Sequence, residues 1–328
     1  MSKNELLKKF GFTKSQINTI TNSYIIKTIN SKLLETKLNE NISYLNKVYS
    51  PKEVNKIITN NPGILIMTIE SMIIKKDNFI NNGYKNEEVK EMIKKYPRLF
   101  TLSTEKIQNI IILFKSLNME ESQIINITVK CPQIFGYSLE NIIYKINYFK
   151  NKGFSKNQIT KMINLCPQIL SLSKNNLNSS FNYLKSKNYS ENDIITLLSK
   201  CPNVLTKTIK KLESIRNLFL DLNYTEGEIN KLTIKCPALY LYGKENLKEK
   251  ISVFIENDLL YQIKDNPNVL RQSAHLTYSR LKFFKSLKNF KLSKKTHKYI
   301  FLDKTNFKKH FKVENEKILK KYPYKKRN

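Results

Sequence analysis

Alanine is almost missing from this chain of 328 residues: Ala238 and Ala274 are the only two. Glycine is nearly as scarce, with seven, too few to build the glycine-rich loop that cradles a nucleotide phosphate. The three histidines, His275, His297 and His310, all fall in the last quarter, away in sequence from any cysteine or clustered carboxylates. No spacing of His, Cys, Asp or Glu matches a metal site, so the sequence predicts a non-enzyme with no catalytic residue, no metal and no cofactor. Apolar runs are short, Ile110–Phe114 among the longest, whereas a helical membrane span needs about 18 residues. No membrane partner is expected. The first residues, Met1 to Lys9, hold Glu5, no arginine and no long apolar stretch, unlike a secretory signal or an Arg-rich transit peptide.

Acidic residues are also few. Lys plus Arg number 58 against 27 Asp plus Glu, for a formal net charge of +31. An AT-rich coding bias would raise Lys, Asn and Ile together, but it does not explain a deficit of acids. The balance predicts a polyanionic partner, nucleic acid before an anionic membrane surface. Only four cysteines are present, Cys131, Cys166, Cys201 and Cys236, each directly before a proline and 35 residues from the next. On stacked helical repeats they would sit one helix-packing distance apart, about 8–10 Å. A disulfide needs Cα atoms within about 7 Å, and zinc needs sulfurs about 2.3 Å from one ion, so neither is expected.

What the chain does have is a beat. Pro62, Pro97, Pro132, Pro167, Pro202 and Pro237 follow at intervals of 35 residues, and Pro267 comes 30 later. A fixed period of this length marks stacked helical repeats and predicts an all-α solenoid. Ser50 with Glu53, Ser155 with Gln158, Ser190 with Asp193 and Thr225 with Glu228 read as capping boxes that open a first helix. Apolar residues at helical spacing follow, such as Ile159, Met162, Ile163 and Cys166, so the cysteine is a small core residue. The proline ends that helix by driving the preceding residue out of the α region. An apolar pair two and three residues on predicts a short 3₁₀ turn tucked under the helices. Six residues after each proline stands a second helix cap: Thr68, Ser103, Ser138, Ser173, Thr208, Gly243, Ser273. The second helix buries Phe79, Phe114, Phe149, Phe219 and Phe254 as core, and stops at Gly83, Asn118, Gly153, Asn188 and Asn223. Three segments result: 1–48, a degenerate N-terminal capping repeat with a Thr13–Gln16 capping box; 49–290, the repeats; and 291–328, a basic C-terminal cap and tail. From Leu281 onward there are 17 Lys or Arg against three acids, and the end, Lys320 to Arg327, is expected to be flexible.

The Cys-Pro-x-[Ile/Val]-[Leu/Phe] step, the helix-opening Ser/Thr, the joint seen in Gly153-Phe154-Ser155, Asn188-Tyr189-Ser190 and Asn223-Tyr224-Thr225, and the late Arg280-Leu281 together resemble the mTERF family. The resemblance covers roughly residues 50–290. Pentatricopeptide and tetratricopeptide repeats share the period but rely on alanine for close helix packing, and are set aside. The resemblance implies a superhelical solenoid of about eight helix–helix–3₁₀ repeats, curved into a half-ring with a basic groove. It also implies binding of double-stranded DNA or structured RNA, and a role in transcription termination, transcript maturation or ribosome assembly. The family's usual home is the mitochondrion or plastid, although no clear presequence is visible at the start of this chain.

Candidate contacts come from the cation pattern. Lys95, Lys130, Lys200 and Lys235 stand two residues before a proline, with Leu165 breaking the row, and Lys115, Lys150 and Lys185 recur near the end of the second helix. Arg216, Arg271, Arg280 and Lys282 complete the expected nucleic-acid-binding set. Cations near helix C-termini are also favoured by the helix dipole alone. Arginine is scarce, so backbone-dominated binding with modest base readout is expected, by a monomer. The alternative is a scaffold that uses the same groove for an acidic protein partner or in ribosome or RNA assembly.

Overall fold

A computed structural model describes residues 1–288, 290, 293 and 295–324. Of the basic end expected to be flexible, Lys325–Arg327 lie outside the described residues, while Lys320 and Lys321 form the last turn of a helix. The described chain is helical throughout, and its contacts divide it into two compact units, Met1–Ser171 and Leu172–Asn328.

The first unit opens with α1 (Lys3–Lys9), α2 (Lys14–Asn22), α3 (Tyr24–Thr28) and α4 (Ser31–Asn46). Thr13 and Gln16 form the expected capping box on α2. Helix pairs then alternate with five-residue 3₁₀ turns: α5 (Pro51–Asn60) and α6 (Ile69–Asn81), α7 (Asn86–Lys95) and α8 (Thr104–Ser116), α9 (Glu121–Lys130) and α10 (Leu139–Asn151), and then α11 (Lys156–Leu165). The second unit continues the pattern with α12 (Lys174–Ser186), α13 (Glu191–Lys200) and α14 (Ile209–Leu220), α15 (Glu226–Lys235) and α16 (Lys244–Ile255), α17 (Leu260–Asp265) and α18 (Ala274–Ser286). It closes with α19 (Lys304–Phe311) and α20 (Asn315–Lys321). The shortened interval before Pro267 costs α17 just over a turn, leaving six residues where its counterparts have ten.

The proline dictates each corner. The residue before it sits near φ −140°, ψ 75°, as at Tyr96 (−142°, 78°) and Cys201 (−146°, 72°), outside the α region as the proline ring requires. The 3₁₀ turn that follows buries the expected apolar pair, for instance Leu99 and Phe100, or Val204 and Leu205. Second helices open on the expected caps: the Ser103 hydroxyl accepts from Lys106 N–H and the Ser173 hydroxyl from Asn176 N–H. They end on left-handed residues, Gly83 (φ 87°), Asn118 (60°), Gly153 (86°), Asn188 (59°) and Asn223 (60°), as the sequence predicts. Phe79, Phe114, Phe149, Phe219 and Phe254 are all in the core, and Cys131, Cys166 and Cys236 are buried, with Cys201 half-buried.

Capping boxes do a second job between repeats. The Glu53 carboxylate accepts from Ser50 N–H at 3.0 Å and also pairs with Lys94 of the next first helix at 2.8 Å. Glu228 likewise closes the Thr225 box and pairs with Lys264. The lysine bond first, then the capping N–H, holds each carboxyl at a pKa of about 2. A carboxyl whose folded pKa is depressed contributes stability above its unfolded pKa and loses it as pH falls toward the folded value. Glu53→Gln should therefore flatten the fall in urea midpoint between pH 4.5 and 2. Parallel wild-type and variant curves across that window would show that the pairing adds nothing.

Candidate nucleic-acid interface

Lys95, Lys130, Lys200 and Lys235 are exposed at the last turn of their first helices, and the structure gives three of them a definite partner. Lys95 Nζ donates to Val129 O at 2.9 Å, Lys200 Nζ to Ile234 O at 3.2 Å, and Lys235 Nζ to Asp265 O at 3.4 Å. Each acceptor lies in the last turn of the next repeat's first helix. The final carbonyls of a helix have no partner within it and carry its negative end, so an ammonium from the neighbouring repeat both caps and neutralises them. An ammonium has three N–H groups, and one bond leaves the others for an incoming phosphate. Lys130 is exposed at the matching position on α9.

In the second row, Lys115 pairs with Glu121 at 2.7 Å and Lys185 with Glu191 at 2.8 Å. All four side chains are well exposed, and such pairs are worth little and yield readily to a stronger anion. Lys150 differs, because six residues on the chain places Lys156 instead of a glutamate. The Lys156 ammonium is held by Asn118 Oδ1 at 2.9 Å. That repeat thus presents two cations where its equivalents present a cation and an acid. Arg271 is exposed at the end of its 3₁₀ turn, and Lys282 is exposed with its ammonium 5.5 Å from the centre of the Tyr278 ring.

Two expected contacts are corrected. Arg216 is 1% exposed and Arg280 is fully buried, so neither can meet a ligand at the surface. Arg216 Nη1 donates to Asn230 Oδ1 at 2.8 Å, Tyr189 Oη at 3.0 Å and Tyr240 Oη at 3.1 Å, while Nη2 pairs with Glu226. Arg280 lies 3.9 Å from the centre of the Phe307 ring. It donates to Ile300 O (2.8 Å), Leu302 O (2.6 Å) and Asn315 Oδ1 (2.9 Å), and burial pushes its pKa down to about 10, still charged at neutral pH. It pins the C-terminal helices to α18.

Sequence reasoning missed both, and a signal was present. Arg216 stands 14 residues after its proline, where five other repeats place Ile111, Ile146, Phe181, Ile251 and Leu281, all buried, and one places the half-buried Lys76. Arg280 stands 13 after, the register of buried Ile110 and Ile215. The same register buries Lys145 and Lys250, also unforeseen. Lys250 Nζ donates to Leu270 O at 2.8 Å and faces the Tyr242 ring at 4.2 Å, and burial lowers its pKa. Near the chain start Asn41 fills the matching role, donating to Ile64 O at 2.8 Å and Met67 O at 3.2 Å. Asn41, Lys250 and Arg280 thus each tie their helix to the 3₁₀ turn that follows.

A cavity of about 880 Å³ in the second unit is lined by Asp221, Glu245, Glu249 and Glu256 with Lys248 and apolar side chains. Its carboxylates make it unsuited to a phosphate. Among the described residues no three His, Cys, Asp or Glu side chains cluster as metal ligands would, and no helix is long and apolar enough to cross a membrane.

The repeat of two helices hinged on a proline-led 3₁₀ turn, edged with lysine, is matched by a family model for mTERF over residues 4–312. The chain belongs to the mTERF family. Membership points to a nucleic-acid-binding helical repeat protein. No protein of curated function matches the chain. Of the contacts expected for this mTERF protein, the lysines of the two rows, Arg271 and Lys282 are exposed.

Proposed function

We propose that this mTERF protein is a non-enzymatic binder of double-stranded DNA that grips phosphates with its repeat-spaced lysines and thereby regulates transcription, at termination or a related step. The observation that carries this reading is the exposure of Lys95 and Lys130 in the first unit, and of Lys200 and Lys235 in the second, at one register of the repeat in a chain of net charge +31. Phosphates along a strand form a regular array of negative charge, and a regular array of ammonium groups is its complement. Lysine supplies phosphate charge without the forked geometry that reads bases, which suits a contact dominated by backbone.

Fluorescence anisotropy of the full chain with random duplex DNA, single-stranded DNA and structured RNA, across a salt series, tests it. Engagement of about six phosphates on duplex gives a log–log salt slope near −5. A flat slope would overturn the mechanism. Binding confined to RNA would move the function to transcript maturation or ribosome assembly. A second reading, a scaffold for a protein partner, is favoured by the exposed apolar side chains Ile73 and Ile74 on α6, Ile112 on α8 and Ile143 on α10. Weak binding to all three nucleic acids at physiological salt would select it.

A further inference from the structure

Most proline-led corners leave the residue directly after the proline outside while burying those on either side. The proline and the residues two and three positions on are driven into the core at, for example, Pro132, Ile134 and Phe135. The residue between is left outside. It is Arg98, Gln133 and Gln168 in the first unit and Asn203 and Asn268 in the second; all are exposed except Asn203, which is half-exposed. Only Gly63 and Ala238 break the set.

The chemistry at this register is narrow. In a lysine-rich chain it holds no lysine, no carboxylate and no hydroxyl; every side chain longer than a methyl is a guanidinium or a primary amide. Those are the planar groups that pair in bidentate fashion with base edges, arginine with guanine O6 and N7, asparagine or glutamine with adenine N6 and N7. Three residues earlier in the same repeats stand Lys95, Lys130 and Lys200. Reader and phosphate anchor therefore flank one turn, and at Lys95 and Lys200 the anchor is steadied by the next repeat's carbonyl. Two of the readers are also held: Gln168 Oε1 accepts from Cys166 Sγ at 3.5 Å, and Asn268 Nδ2 donates to Asn266 Oδ1 at 3.2 Å. The turn beneath is fixed by its buried apolar pair, so little backbone freedom is left to lose on binding.

Spacing adds to this. First helices of successive repeats pack on one another, α7 on α9 and α13 on α15, and packed helices lie about 8–10 Å apart. Bases along one strand of B-DNA are about 3.4 Å apart, so Arg98 and Gln133, just past the ends of α7 and α9, fall about three base steps from each other.

We infer that Arg98, Gln133, Gln168, Asn203 and Asn268 are the base-reading side chains of this protein on duplex DNA, at five of the seven proline-led corners, with Lys95, Lys130 and Lys200 as the phosphate anchors beside Arg98, Gln133 and Asn203. This rests on the duplex reading above. The test is selection from a random-sequence duplex library with full-length wild type, Arg98→Ala, Gln133→Ala and Lys95→Gln, followed by salt titrations on the selected duplex. Arg98→Ala should relax preference at one position, and Gln133→Ala at another about three base pairs away, each by about five- to a hundredfold with the salt slope unchanged. Lys95→Gln should weaken all sequences alike and reduce the slope by about 0.9. The replaced readers are exposed, so an unchanged circular dichroism melt confirms that each variant is folded. If both reader variants select the wild-type sequence while Lys95→Gln still weakens binding, this inference falls and the duplex reading stands. A wild type that selects no sequence also overturns it. A wild type with no salt-dependent duplex binding overturns both.

Discussion

Converting Lys95, Lys130, Lys200 and Lys235 together to glutamine should lower the log–log salt slope on duplex DNA by about 3.6, four phosphates at about 0.9 each. Of all the changes considered, this one should move affinity furthest. A protein making six to ten phosphate contacts already loses about 10³- to 10⁵-fold between 50 and 200 mM salt, and removing four contacts takes a large share of that dependence away. Glutamine keeps a donor and much of the stem, but three of these lysines also cap a neighbouring helix, at Val129, Ile234 and Asp265. A stability loss of about 0.3–1 kcal/mol per capped helix is therefore expected alongside. The two effects separate cleanly, because the capping term acts on the melt and the phosphate term on the slope. Anisotropy titrations at four or more salt concentrations, well below the variant's melting temperature, provide the check. An unchanged slope would mean that this register does not meet the duplex, and that the lysines serve only to cap helices.

The second large effect belongs to Arg216. Truncation to alanine removes a buried guanidinium and leaves Asn230 Oδ1 without its donor, in a pocket closed by Tyr189 and Tyr240. Breaking a buried charged network by deleting one partner costs about 3–5 kcal/mol. Arg216→Met fills most of the volume and should cost less, about 1–3 kcal/mol, the penalty of the orphaned acceptor. Tyr189 keeps its bond to Thr233 and Asn230 Nδ2 keeps Lys187 O, so the network is thinned and not abolished. Hydrogen exchange of the full chain, read over α13 to α15, should show faster opening in the order alanine, methionine, wild type. Equal protection in all three would mean that the network adds nothing to stability.

Arg216 also shows where a sequence can and cannot be read. The corners, caps and left-handed helix ends were legible because each depends on residues within six positions of one another, as Ser155 with Gln158 or Asn188 at the end of α12. The burial of an arginine does not. Its partners Tyr189, Glu226, Asn230 and Tyr240 lie 10 to 27 residues away, and nothing local distinguishes a guanidinium facing solvent from one facing them. The repeat register did hold the answer, because Arg216 takes a position that most other repeats give to aliphatic and aromatic core residues. The exposed rows were legible as rows. That Lys95 or Lys200 would hold the neighbouring helix end required the packing of successive first helices, which periodicity implies but does not orient. The helices before Ser50 were the least legible part, because no proline marks their corners and only capping boxes, Ser2 with Glu5 and Thr13 with Gln16, announce them.

The bonds that join repeats also set how a unit would answer to a pull. Glu53 with Lys94, Tyr84 with Thr128, Lys95 with Val129, and Tyr189 with Thr233 each reach one repeat along the chain and no further. Tension applied at the ends of a unit would load these clasps in series, and the weakest would part first without loosening those beyond it. A freed repeat of 35 residues pays out about 120 Å of extended chain. The molecule would lengthen in even steps, as a strap that lets go one buckle at a time.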